Sequence, residues 1–305
     1  MTAAKPRSGR VDIGELHLYY EDWGDKNHPV VLLIMGLGAQ LVAWPDEFVQ
    51  ALVDGGYRVL RYDNRDVGLS AKIKNQERFQ PIRNAYVRAK LGFRVSAPYT
   101  LKDMARDAVA LLDALEIDKV HVVGASMGGM IAQLVAALHA ERVLSLVSLM
   151  SSSGAAWLPS GKLQLLLRMV TKPPSTERDV LLAHYMKTMR MMGSPGFPMS
   201  REEMRARTQR WIERAYHPAG TARQMLAILA TGSRVKYLRK IKAPTLVLHG
   251  KQDPLVPAAH GKHTARCIPG AKLELIDGMG HDLPPALLPR LAAVILQHLD
   301  SMHSA

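Results

Sequence analysis

Between residues 120 and 133 the chain reads VHVVGASMGGMIAQ. Strand-forming residues run into a knot of three glycines around one serine, and a helical pattern leaves it. Glycine between two regular elements costs conformational entropy and weakens both. A chain that places three there needs a turn tighter than side chains allow. The spacing G-x-S-x-G (Gly124, Ser126, Gly128) predicts a strand that reverses into a helix through a strained elbow, with Gly124 and Gly128 bare because strand and helix approach closely. The Ser126 hydroxyl then projects above the sheet edge, near the free N–H groups and positive dipole end of the following helix. The motif taken alone is a modest signal, and its context has to support it.

That context is an alternation of strand and helix patterns. Residues 29–36 (PVVLLIMG) are continuously apolar, as in a strand covered on both faces, and residues 15–24 alternate polar and apolar, as an exposed antiparallel edge would. Residues 44–56 read as an amphipathic helix closed by glycine, 57–63 as a strand, and 100–117 as a helix in which Thr100 and Asp103 form a capping box. Strand 119–125, helix 127–140 and strand 142–150 follow. The alternation then stops. Residues 151–234 are helical, basic and hold half of the 16 methionines. Strand 243–250, helix 254–267, strand 271–277 and helix 285–300 complete the pattern. Such an order implies an α/β fold: a mostly parallel central sheet flanked by helices. The expected division is a core of residues 1–150 and 235–305 with a helical cap, residues 151–234, over the carboxyl ends of the strands, where open α/β sheets bind ligands. Residues 71–99 read as a smaller irregular insertion, also basic.

A serine nucleophile needs a base, and the base an orienting acid, in the chain order Ser, Asp or Glu, His. Two loops beyond the cap offer them. LHGKQDPLVP puts Asp253 just past one buried strand, and LIDGMGHDLP puts His281 just past the next. Ser126 is therefore read as nucleophile, His281 as general base and then acid, and Asp253 as the carboxylate that holds the imidazole. Asp282 adjoins His281, but sequence neighbours rarely orient one another's rings. His249 and His121 lie at or within strands and read as structural. The oxyanion hole needs two backbone N–H donors. Met127, directly after the nucleophile, supplies one, and Leu37 in the loop GLGAQ the other, with Gly36 as runner-up. His260, His263 and Cys267 are spaced along one side of a helix as metal ligands would be. With no fourth ligand or orienting carboxylate near, an exposed helix with scattered histidines is the reading adopted, and no metal or cofactor is expected.

The motifs GASMGG, HGKQDPLVP, GMGHDLP and YDNRDVGLS together resemble the α/β-hydrolase superfamily, of the esterase and lipase kind, over residues 10–150 and 235–300. Within it the chain is most similar to aclacinomycin methylesterase and related bacterial carboxylesterases. MGLGAQ in place of the commoner His-Gly opening, WPDEF after it, and Asp66 where many relatives have glycine carry that similarity. The resemblance implies a carboxylic ester hydrolase working through an acyl-enzyme intermediate on a small-molecule ester. The same scaffold also supports carbon–carbon bond hydrolases and cofactor-free perhydrolases or haloperoxidases, and a non-catalytic ligand receptor is the remaining alternative. Haloalkane dehalogenases and epoxide hydrolases use an aspartate where this chain has Ser126. In the cap, methionines and the aromatic residues Trp157, Tyr185, Phe197 and Trp211 either pack the helices on the core or line a pliable apolar pocket.

Composition sets the surroundings. The formal net charge is +13, but no nucleic-acid-binding motif accompanies it, so it reads as solvated surface, with steering of anionic substrates depending on where the charge sits. Cys267 is the single cysteine, so no internal disulfide forms. The start lacks a continuous apolar signal core, and the longest apolar run, VVLLIMGLGAQLVAW, is broken by glycine and too short to span a bilayer. A cytoplasmic protein without nucleic-acid partner or membrane span is expected; the oligomeric state is left open.

Overall fold

The computed structural model describes residues 6–74, 81–171 and 173–302. In chain order the elements before the long helical segment are β1 (Arg7–Ile13), β2 (Leu16–Trp23), β3 (Val30–Ile34), α1 (Asp46–Asp54), β4 (Arg58–Tyr62), α2 (Ile82–Lys90), α3 (Leu101–Ala114), β5 (Val120–Ala125), α4 (Met127–Leu138) and β6 (Val143–Leu149). Four helices follow, α5 (Leu163–Val170), α6 (Arg178–Met192), α7 (Arg201–Arg214) and α8 (Pro218–Thr231). The chain then runs through α9 (Val235–Leu238), β7 (Thr245–Gly250), α10 (Ala259–Cys267), β8 (Lys272–Ile276) and α11 (Leu288–Asp300). The strands form one sheet in the order β1-β2-β4-β3-β5-β6-β7-β8. Every pairing from β4 to β8 is parallel, while β1, β2 and β4 pair antiparallel.

The apolar run of β3 has a simple cause. Val31 and Leu33 pack with Phe48 of α1 and Ile295 of α11 on one face, and Leu32 and Ile34 with Ala108 of α3 and Ile131 of α4 on the other. All five residues of β3 are buried, so neither face tolerates a polar side chain. The capping box forms as expected: the Thr100 side chain accepts the Asp103 N–H, and Asp103 Oδ2 accepts the Thr100 N–H at 2.7 Å.

Three expectations are corrected. Residues 15–24 are antiparallel but not at the edge, because β1 pairs with their outer side. The charged sequence RSGRVDI of β1 hides its alternation, and charges on an edge strand discourage pairing with other chains. Residues 71–99 are not wholly irregular, since α2 lies within them; their part at 75–80 falls outside the described residues. Helix 254–267 starts only at Ala259. Asp253 Oδ1 instead accepts the N–H groups of Leu255 (2.9 Å) and Val256 (2.8 Å), which bends the chain into a turn.

The elbow explains its glycines. Ser126 has φ 55° and ψ −119°, a strained backbone for a non-glycine residue. A Cβ on Gly124 would overlap the Gly128 carbonyl, and one on Gly128 the Ile34 carbonyl. Both obstacles are backbone, so neither can swing aside. Gly128→Ala is expected to cost at least about 2–3 kcal/mol of folding stability, read from the urea unfolding midpoint; a wild-type midpoint would mean that the elbow is looser than this.

Candidate active site

The parallel order sets the site. Because β3 and β4 pair to one side of β5 and β6 and β7 to the other, the loops after β3, β5, β7 and β8 share one rim at the carboxyl ends of the strands. Ser126 follows β5 directly, Asp253 lies three residues past β7, and His281 five past β8. Their side chains meet there. His281 Nε2 stands 2.9 Å from Ser126 Oγ, and His281 Nδ1 stands 2.7 Å from Asp253 Oδ2. An ionised carboxylate only accepts, so Nδ1 carries the proton and donates it to Asp253, leaving the Nε2 lone pair to accept from the serine hydroxyl. His281 is 8% exposed and Asp253 6%, so water competes weakly for either hydrogen bond.

Each member is held by its backbone. The Ser126 N–H donates to Leu149 O at 2.9 Å, and Ser126 O accepts the Met130 N–H (3.2 Å) and the Ser151 hydroxyl (2.7 Å). Opposite it lies the loop after β3. A Cβ on Gly36 would come 3.1 Å from Ser126 Cβ, so this loop passes over the serine. Its shape is fixed by Asn64 Nδ2, which donates to Met35 O (3.0 Å), and by Gln224 Oε1 of α8, which accepts the Gly38 N–H (2.8 Å). The N–H groups of Leu37 and Met127 meet no acceptor among the described residues. They are therefore free to serve an oxygen atom beside Ser126, with the dipole of α4 behind Met127.

The rivals separate by their contacts. Asp282 is engaged elsewhere: its Oδ1 accepts the Ser194 hydroxyl at 2.5 Å, and burial raises its carboxyl above the ordinary value. His121 is buried with Nδ1 2.8 Å from Ser145 Oγ. Both ring nitrogens of His260 are engaged, Nδ1 with Ser152 Oγ (2.7 Å) and Nε2 with Pro159 O (2.8 Å), while His263 Nδ1 meets Ser153 Oγ at 2.8 Å. These rings serve as struts between α10 and the loop after β6. Trp157 stands apart from Tyr185 and Trp211, whose rings pack 4.8 Å apart; it is 70% exposed and stands edge-on to His263.

His249 is fully buried, and its Nε2 donates to Val256 O at 2.7 Å. Burial keeps its pKa below the ordinary 6.5, against the smaller upward pull of Val256 O and Asp253. The unfolded chain therefore takes up a proton there first as pH falls through 6.5, and stability present above that pH drains below it. Chemical denaturation at pH 7.5 and 5.5 is expected to show the loss, and His249→Gln to reduce it by at most about 1.4 kcal/mol. An unchanged pH slope in the variant would contradict a neutral buried ring.

Two ion clusters beside the rim were not legible in the sequence. Asp63 is fully buried beneath Arg214 Nη1 (2.7 Å) and accepts the Leu41 and Leu69 N–H groups at 2.7 and 2.8 Å. Asp66, at φ 72°, accepts two bonds from Arg223 (2.9 and 2.7 Å), the Tyr99 hydroxyl (2.7 Å) and the Ile73 N–H (2.8 Å). Burial alone would raise the Asp66 carboxyl, but Arg223 and Tyr99 hold it below its ordinary value. Both clusters tie helices α7 and α8 to the loop after β4. A third tie grips the histidine loop itself. Met192 O accepts the His281 N–H (2.8 Å), Ser194 Oγ accepts the Gly280 N–H (2.8 Å), and Arg207 Nη1 donates to Leu283 O (2.7 Å).

Known proteins resemble this chain over most of its length. The family model for the alpha/beta hydrolase fold matches residues 29–284. Rhodomycin D methylesterase DnrP of Streptomyces peucetius is 32% identical over 93% of this chain and 95% of its own length. A poly(3-hydroxyalkanoate) depolymerase of Ectopseudomonas oleovorans is 30% identical over 90% of the chain and 86% of its own length. A 2-hydroxy-6-oxononadienedioate/2-hydroxy-6-oxononatrienedioate hydrolase of Cupriavidus pinatubonensis is 28% identical over 88% and 85%. Among solved structures, the enol-lactonase of Burkholderia xenovorans superposes with a TM-score of 0.71 at 23% identity, over 96% of this chain and all of that one.

Proposed function

The chain belongs to the alpha/beta hydrolase fold family, and from that premise we propose that it is a carboxylic ester hydrolase acting through a Ser126–His281–Asp253 triad and an acyl-enzyme intermediate. The hydrogen-bonded run from Ser126 Oγ through His281 to Asp253, at 2.9 and 2.7 Å, carries this reading. The similarity to a methylesterase along nearly the whole chain supports the ester as substrate class.

In this mechanism Ser126 Oγ attacks the ester carbonyl while its proton passes to His281 Nε2. Asp253 stabilises the resulting imidazolium and keeps it in register. The carbonyl oxygen becomes an oxyanion between the Leu37 and Met127 N–H groups, each worth about 3–4 kcal/mol of barrier in a site of this kind. His281 returns the proton to the departing alcohol. A water molecule then gives its proton to His281 and attacks the acyl carbonyl, and the acid leaves as Ser126 recovers its hydrogen. No step calls for a cofactor. Residues 151–234 act as a cap on a core formed by residues 1–150 and 235–305, and their apolar and aromatic residues choose among acyl groups.

The test is turnover of p-nitrophenyl esters from acetate to dodecanoate. A burst of one nitrophenolate per chain, with the acyl mass found on the peptide that holds Ser126, is expected. No turnover along the whole series, with hydrolysis of a vinylogous 1,5-diketone instead, would favour carbon–carbon cleavage, the alternative reaction on this scaffold.

A further inference from the structure

Among the described residues eight large apolar side chains are exposed, and five of them, Val87, Leu91, Phe93, Trp157 and Leu163, sit on two adjoining segments. Scattered exposed apolar residues are ordinary, but a cluster of this kind marks a contact surface. The segments are physically joined. Lys90 Nζ donates to the carbonyls on either side of Trp157, Ala156 at 3.1 Å and Leu158 at 3.3 Å, and the Tyr86 and Ser160 hydroxyls are 2.7 Å apart.

The charge on both segments has one sign. Residues 81–98 contain Arg83, Arg88, Lys90 and Arg94, residues 154–171 contain Lys162 and Arg168, and neither stretch holds an Asp or Glu. All of these cations except Arg168 are exposed. The Arg88 guanidinium lies 5.7 Å from the centre of the Phe93 ring. Exposed tryptophan, phenylalanine and leucine ringed by cations suit a bilayer interface, where the rings sit at headgroup depth and the cations meet lipid phosphates. The same charges argue against a second copy as occupant, since a two-fold contact through this face would set cations against cations. The face also adjoins the site: the Lys162 N–H donates to Pro254 O at 2.8 Å, one residue past Asp253. No described helix is long and apolar enough to cross a membrane, so attachment here would be peripheral.

We propose that this face is a docking surface for an anionic phospholipid bilayer, with Phe93, Trp157 and Leu91 entering the interface and the neighbouring arginines and lysines pairing with its phosphates. The inference goes beyond hydrolysis at Ser126 and is read by binding alone, so its failure leaves that reaction untouched, and the reverse also holds.

The experiment is co-sedimentation of the full chain with sucrose-loaded vesicles, either pure phosphatidylcholine or phosphatidylcholine with about a third phosphatidylglycerol. Binding is expected to be at least about tenfold stronger on the anionic vesicles and to weaken with added salt. Phe93→Ser with Trp157→Ser, and separately Arg83→Glu with Arg94→Glu, should each lower binding about tenfold or more while circular dichroism and melting stay close to wild type. Lys119 and Lys240 precede β5 and β7, at the opposite ends of the strands. Reversing both to Glu makes the same change in net charge and should alter binding less than about twofold. Three outcomes overturn the proposal: no binding to the anionic vesicles, an equal loss from the Lys119/Lys240 reversal, or a solution dimer that Phe93→Ser with Trp157→Ser abolishes.

Discussion

Ser126→Ala is expected to lower kcat for a p-nitrophenyl ester by about 10⁵- to 10⁶-fold, with KM close to wild type. The size follows from what is removed. The variant keeps the elbow, the free Leu37 and Met127 N–H groups and the rim, so substrate still binds, but no oxygen remains to form the acyl-enzyme. His281→Ala should fall nearly as far, because among the described residues the hydroxyl then has no hydrogen-bond partner left: Ser126 Oγ has its 2.9 Å partner in His281 Nε2. The double variant should be no slower than the worse single one. Residues that act as a unit lose their whole effect once, and what remains comes from the oxyanion donors and binding. An additive double variant, or a Ser126→Ala enzyme within about a hundredfold of wild type, would mean that the two side chains act separately.

What the sequence discloses and what it hides divide along a physical line. Buried strands such as β3 and β5 announce themselves because nearly every residue must be apolar, and the elbow because Gly124 faces the backbone of α4 and Gly128 that of the end of β3. Asp253 and His281 are readable because each stands a few residues past a buried strand, where chain order and rim position coincide. The pairings hidden in the sequence join distant segments through side chains alone. Arg214 meets Asp63 across 151 positions and Arg223 meets Asp66 across 157. Nothing local distinguishes Arg214 or Arg223 from the other arginines of these basic helices. The one signal was on the core side: three charges, Asp63, Arg65 and Asp66, directly after a buried strand, where each must find a partner. The edge strand β1 is hidden for the opposite reason: its core-facing side offers only Val11 and Ile13, too short an apolar period to stand out beside Arg7, Ser8, Arg10 and Asp12.

Asp253→Asn should cost about 10⁴-fold in kcat, and the turn around it explains why an isosteric change is so severe. Asp253 Oδ1 accepts two N–H groups, Leu255 at 2.9 Å and Val256 at 2.8 Å, while Oδ2 faces His281 Nδ1 at 2.7 Å. An asparagine must keep its carbonyl oxygen toward the turn, because turning the NH₂ that way would set donor against two donors. Its NH₂ therefore faces His281, and Nδ1 must give up its proton to accept from it. The ring then carries its hydrogen on Nε2, where it can no longer take one from Ser126. Asp282→Asn differs in kind. Its Oδ1 receives the Ser194 hydroxyl, a bond that an amide oxygen preserves, so its kcat should stay within about tenfold of wild type. Measuring both variants with one ester over a range of pH separates the two carboxylates. If Asp282→Asn fell as far as Asp253→Asn, the acid that orients His281 would have to be its neighbour in sequence, and the 2.7 Å contact to Asp253 would lose its catalytic meaning.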